Sequence, residues 1–140
     1  MTCPFCEIAA RRAPASLLHE DEACLAFMTL HPTRDGEFLV APRAHVDHFT
    51  DMDDALAAHV MTVAHRLARH ARTVLRPLRM GYVVHGFGVA HAHLVVVPQH
   101  TPRDILPGPC LHPRDGFELR LPTAAPRAAL DAMAARLRLP

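Results

Sequence analysis

The chain has 140 residues, 50% hydrophobic and 21% charged, with a formal net charge of +1, a size that suits one domain over 1–140 with a buried core. The balance of 15 basic against 14 acidic side chains argues against a nucleic-acid or polybasic membrane partner held by bulk charge. All the basic residues are arginine and Ser16 is the only serine, which removes Schiff-base and P-loop lysines and leaves one serine nucleophile at most.

From the N-terminus, residues 3–12 suit a short helix with Pro4 in its first turn. The start has neither the basic segment nor the apolar run of a signal peptide, and no stretch reaches the roughly 18 apolar residues of a membrane span. The expectation is therefore a cytoplasmic protein with reduced thiols, in which Cys3-x-x-Cys6 reads as metal-binding or redox before disulfide. Residues 17–30, apolar and acidic by turns, suggest two strands. Residues 31–36 make a Pro/Gly turn, and 37–41 a further strand that completes an antiparallel hairpin.

The clearest element is a helix over 51–76. Thr50 is expected to cap it, with Asp53 in the capping-box place and Asp51 and Asp54 near its positive end. Leu56, Val60, Val63, Leu67, Ala71 and Val74 form its apolar stripe, and Pro77 stops it. His59, His65 and His70 lie mostly off that stripe and read as solvated. Residues 80–85 and 91–97 are strand-like, joined by the glycine-containing turn 86–90. Residues 98–113 are mostly irregular and proline-rich, 117–121 suggest a short strand, and 126–137 a helix with Leu130, Met133 and Leu137 on one side. The order gives an α+β fold: an antiparallel sheet of about five strands, one long helix and a short C-terminal helix.

Two constellations carry chemistry. On a strand over 91–97, His91, His93, Val95 and Val97 share one face, the two imidazoles about 7 Å apart, while Ala92, Leu94 and Val96 face the core. The alternative is a coincidental pair of structural histidines. Cys3 and Cys6 can chelate from one short turn, but zinc takes four N/S ligands, so two more are needed. His45 or His48, and His91, are the candidates. The alternatives are reduced cysteines packed as small hydrophobes, or a redox pair, the latter weakened by the lack of a surrounding βαβ pattern. Cys24 and Cys110 read as structural or incidental.

Taken in order, these features resemble the histidine-triad (HIT) family of nucleotide hydrolases and transferases. The match rests on Cys3-Pro4-Phe5-Cys6-Glu7-Ile8, residues 20–27, residues 38–46 with Pro42-Arg43-Ala44-His45, the His-x-His strand running into Pro98, and the closing helix. The resemblance implies a HIT-like fold, a homodimer and a nucleotide-like small-molecule ligand. It implies that His93 attacks the α-phosphorus to form a nucleotidyl-histidine, which water or another acceptor then discharges. It also implies structural Zn2+ on Cys3, Cys6, His45 and His91, with His48 as the substitute for His45. Thr29 and His31 fall in the ribose-binding segment, and His85 and Gly86 in a shortened phosphate loop.

This chain departs from the family at the third triad position, where Val95 offers no hydrogen bond, and at Thr29, where an acidic residue is usual. His85 and His100 are candidate substitute donors. The resemblance thus supports a slow hydrolase or transferase acting on a nucleotide phosphoester, phosphoramidate or dinucleoside polyphosphate. The alternative is a zinc-stabilised, catalytically weak relative that binds a nucleotide or phosphate.

Overall fold

Every position of strand β2, Cys24–Met28, is buried, as the interior of a sheet requires. In the computed structural model, which describes residues 2–105 and 122–140, β2 pairs with β1 (Leu17–Glu20) and β3 (Phe38–Pro42). Beyond β3 come β5 (Leu94–Gln99) and then β4 (Arg79–Val83), so the order is β1-β2-β3-β5-β4, antiparallel throughout. The expected strand over 117–121, Cys110 and part of the proline-rich stretch lie outside the described residues.

Alternation along the strands divides the apolar side chains between two faces. Cys24, Ala26, Met28, Phe38, Val40, Leu94 and Val96 form the main core with helices α2 (Asp54–Leu75) and α3 (Arg127–Leu137). Leu25, Phe27 and Ala41 turn the other way and pack with Phe5 of α1 (Pro4–Ala9). The short helix covers only part of that second face, and the remainder floors a cavity.

Helix α2 buries Val60, Val63, Ala64, Leu67, Ala68 and Ala71, as its stripe requires. Its start differs from the expectation. Phe49–Asp51 form a separate 3-10 turn, and Asp53 rather than Thr50 is the cap, its carboxylate accepting from Leu56 N at 2.7 Å. A carboxylate at the cap satisfies an orphan amide and also faces the positive helix end. Met52, just before the cap, is buried in the core, and that burial holds the entering chain. Arg76 takes a left-handed conformation (φ 52°, ψ 45°) and Pro77 follows, ending the helix. Strands β3 and β4 are each displaced by one or two residues from their expected spans. Among the described residues no helix is long and apolar enough to cross a membrane.

His59 also differs from its expected solvated role. His19 Nε2 and His59 Nε2 lie 2.7 and 2.8 Å from Asp21 Oδ2, and Asp21 Oδ1 accepts from Ala23 N and Cys24 N. One carboxylate therefore ties the β1–β2 turn to α2. Burial opposes its ionisation, but the donors outweigh burial and hold the Asp21 carboxyl well below the usual carboxylate range. Burial, with the charge of Asp21 beside it, pushes the Cys24 thiol up to about 12, which suits a structural cysteine.

Asp21→Ala strands these donors and should cost about 2 kcal/mol or more at neutral pH, read from the denaturant midpoint. Because the folded pKa is depressed, this contribution is present above the unfolded value of about 3.9 and is lost as pH falls toward the folded one. The gap between wild type and variant should therefore narrow below about pH 4.

Candidate active site and metal centre

Strand β5 opens at Leu94, paired with Val40, so His91 and His93 precede the strand instead of lying on it as expected. Upstream of Leu94 the backbone donors turn elsewhere: His91 N to Val89 O at 2.8 Å and Ala92 N to Val46 O at 2.7 Å. The two side chains still lie on the α1 side. Phe5 stands edge-on to both rings, with centroids 5.5 Å from His91 and 5.3 Å from His93.

His91 is fully buried, and its Nε2–H donates to the Pro42 carbonyl at 2.9 Å. That bond leaves the Nδ1 lone pair facing Cys3 Sγ at 3.3 Å and Cys6 Sγ at 3.6 Å. His45 Nδ1 stands 3.4 Å from Cys6 Sγ. The helix start makes this convergence possible, since Cys3 caps α1 and Cys6 lies within its first turn. All four donor atoms lie within 4.8 Å of one another.

Zn–S and Zn–N bonds of about 2.3 and 2.0 Å in a tetrahedron require S···N edges of about 3.5 Å. The observed 3.3–3.6 Å fits them. Burial, the largest influence on His91, lowers its pKa and favours the neutral imidazole that a metal requires. His48 is exposed beside Asp47 and lies outside the cluster.

His93 donates Nδ1–H to the His91 carbonyl at 2.7 Å, which fixes the tautomer with the lone pair on Nε2. Burial chiefly holds it below the ordinary imidazole value; the bond to His91 opposes this and the charge of His85 adds to it. The ring lines a cavity of about 630 Å³ on the α1 side of the sheet. The strand register puts Phe27, Leu39, Val95 and Val83 in one row across the floor. Thr29, Glu37, Val97 and Gly81 form the next row, Thr29 N donating to the Glu37 carbonyl at 3.4 Å and Gly81 pairing with Val97.

Thr29, His31, His85, His93 and Val95 all line the cavity. Gly86 is not among the lining residues; it takes φ +71° in the turn, and Phe87, Gly88 and Val89 after it reach the wall. His100 also stands outside the lining, its backbone N–H held by Asp104 at 2.7 Å.

The sequence reading did not single out Glu37, Asp104 or Arg127, which line the cavity as well. Glu37 alternates with Leu39, so the strand period carried a signal for its face. Burial pushes its carboxyl up, opposed by donors from Thr33 and Arg34. Asp104 is buried and paired with Arg34 at 2.7 Å, a contact across 70 positions that no local pattern announces.

The HIT domain family model matches residues 10–102, a span that includes His45, His91 and His93 but leaves out Cys3 and Cys6. Protein hit of Bacillus subtilis is 28% identical over 107 residues, covering 73% of this chain and 74% of its own length. The crystal structure of a Zn-bound histidine triad family protein from Mycobacterium smegmatis superposes with a TM-score of 0.70 at 28% identity, covering 98% of this chain and 96% of that one. A Hit-like protein from Bartonella henselae gives a TM-score of 0.79 at 18% identity over 98% of this chain and 94% of its own, a likeness of fold alone.

Proposed function

We infer, since the chain belongs to the HIT domain family, that it is a slow nucleotide phosphohydrolase or nucleotidyl transferase whose nucleophile is His93. The observation that carries this reading is the His93 ring itself. Its Nδ1–H is held by the His91 carbonyl and its ring lines a cavity with room for a nucleotide. Nε2 attacks the α-phosphorus, the N–P bond forms, and the bond to the leaving group breaks. The His91 carbonyl then faces the N–H of an imidazolium and stabilises its charge. Attack by water on phosphorus releases the nucleotide and returns His93 to its starting state.

In this reading Cys3, Cys6, His45 and His91 hold zinc, in keeping with the zinc of the M. smegmatis relative. Four protein ligands leave no open position, so the ion would supply a cross-link between α1 and the segments before α2 and β5. The same reading takes 1–140 as one domain that pairs into a homodimer, which light scattering would check.

Val95 gives the cavity floor an apolar side chain where a hydrogen-bond donor would speed the reaction. Val95→His should therefore raise turnover, by up to about 100-fold where the new imidazole reaches the phosphoryl oxygens. The test is AMP release from an adenosine phosphoramidate and from a diadenosine polyphosphate. Release by the wild type supports the enzyme. AMP binding by calorimetry without any release supports the second reading, a nucleotide-binding protein, which the same apolar Val95 favours.

A further inference from the structure

We propose that His85 is the general acid of this site, protonating the leaving group as His93 takes the phosphorus. This rests on the nucleophile reading above and extends it to a residue outside the His-x-His segment.

Val83 and Val95 are the last paired residues of β4 and β5 at this end of the sheet. His85 and His93 lie two positions beyond that pair on either chain, and both line the cavity. The turn that follows, with Gly86 and Gly88 at φ +71° and +95°, reverses the chain and brings it back to His91.

Among the described residues, the other titratable groups on the cavity wall are paired or stand farther from His93. Glu37 lies beside Val97, about 13 Å along the strand from His93. His31 follows Thr29 of that same far row, Asp104 is bound to Arg34, and Arg127 is bound to Ser16 Oγ at 3.0 Å. Val95, between His93 and Val97 on the floor, has no proton to give. His85 is an imidazole that lines the cavity and is exposed to water.

In the first step Nε2 of His93 forms the N–P bond and the bond from phosphorus to the leaving amine or alkoxide breaks. The ring proton of His85 passes to the departing atom. In the second step His85, now neutral, takes a proton from the attacking water as the N–P bond breaks. The proton count is restored over the two steps.

The test compares two adenylyl substrates in the wild type and in His85→Ala. One is an alkylamine phosphoramidate, whose amine must be protonated to leave; the other is the p-nitrophenyl ester of AMP, whose phenolate leaves unaided. His85→Ala should lose on the order of 100-fold or more on the phosphoramidate. On the p-nitrophenyl ester the loss in the first step, read as the burst of p-nitrophenolate, should stay under about tenfold, since only the second step there calls on His85. Equal losses on both, or no loss on either, would overturn the assignment. The two failures separate cleanly, because a wild type that cannot be adenylylated at His93 by the p-nitrophenyl ester removes the nucleophile reading itself, and this inference with it.

Discussion

His93→Ala should lower nucleotide turnover by on the order of 10⁴-fold or more, since removing a nucleophile removes the covalent route. Among the described residues that line the cavity there is no lysine, serine or cysteine to take its place. The chain has no lysine, and its one serine, Ser16, is buried with its hydroxyl donated to Asp131 at 2.6 Å. His85 also lines the cavity, but among the described residues no backbone carbonyl holds its ring as the His91 carbonyl holds His93. The substitution removes one hydrogen bond, from His93 Nδ1 to the His91 carbonyl, and leaves the Cys3, Cys6, His45 and His91 side chains in place. Thermal unfolding should therefore shift by only a few degrees, about 1 kcal/mol for a lost hydrogen bond. Full activity in this variant would sink the nucleophile assignment, whatever the metal centre does.

The second large effect is on metal content and stability. Cys3→Ala combined with Cys6→Ala should take zinc from close to one ion per chain to none, because His45 and His91 alone cannot close a tetrahedral shell. Tm should fall by about 10 °C or more, since metal held by the folded state alone contributes its binding free energy to folding. The loss should be largest in α1, whose apolar hold on the sheet is Phe5 against Leu25, Phe27 and Ala41. A strong chelator should reproduce the loss in the wild type and leave the double variant unchanged. Unaltered metal content and Tm in the double variant would show that the cysteines are packing residues only.

Much of this architecture was legible in the sequence because its signals are periodic. The α2 stripe records which side of the helix is buried, and the continuous apolar runs of β2 and β3 mark strands packed on both faces. The helix start was misread for a physical reason. Thr50 and Asp53 are both cap-forming residues three positions apart, and local pattern does not say that Met52 belongs to the core, which draws the chain in and leaves Asp53 at the cap. The His-x-His segment was placed on a strand because its composition allows it. Pairing with β3 ends at Val40, and only the fold shows that Ala92 N turns to Val46 instead.

At the site, Cys3, Cys6, His45 and His91 were separated from their alternatives by the resemblance to a family and not by spacing, since His48 fits the same local pattern. Three-dimensional placement leaves His48 exposed beside Asp47. The part of the polar wall formed by Asp104 and Arg127 could not be read in advance. Its partners are distant in sequence, Arg34 to Asp104 and Ser16 to Arg127, and each pair is brought together by the sheet and not by a motif.

The most direct test of the central claim is intact-mass analysis after brief reaction with the p-nitrophenyl ester of AMP, quenched at alkaline pH to preserve a phosphoramidate bond. One adenylyl group per chain, mapped to His93 by fragmentation and absent from His93→Ala, is the expected result. Release of AMP with no adduct on the wild type, or an adduct of equal yield in His93→Ala, would contradict it.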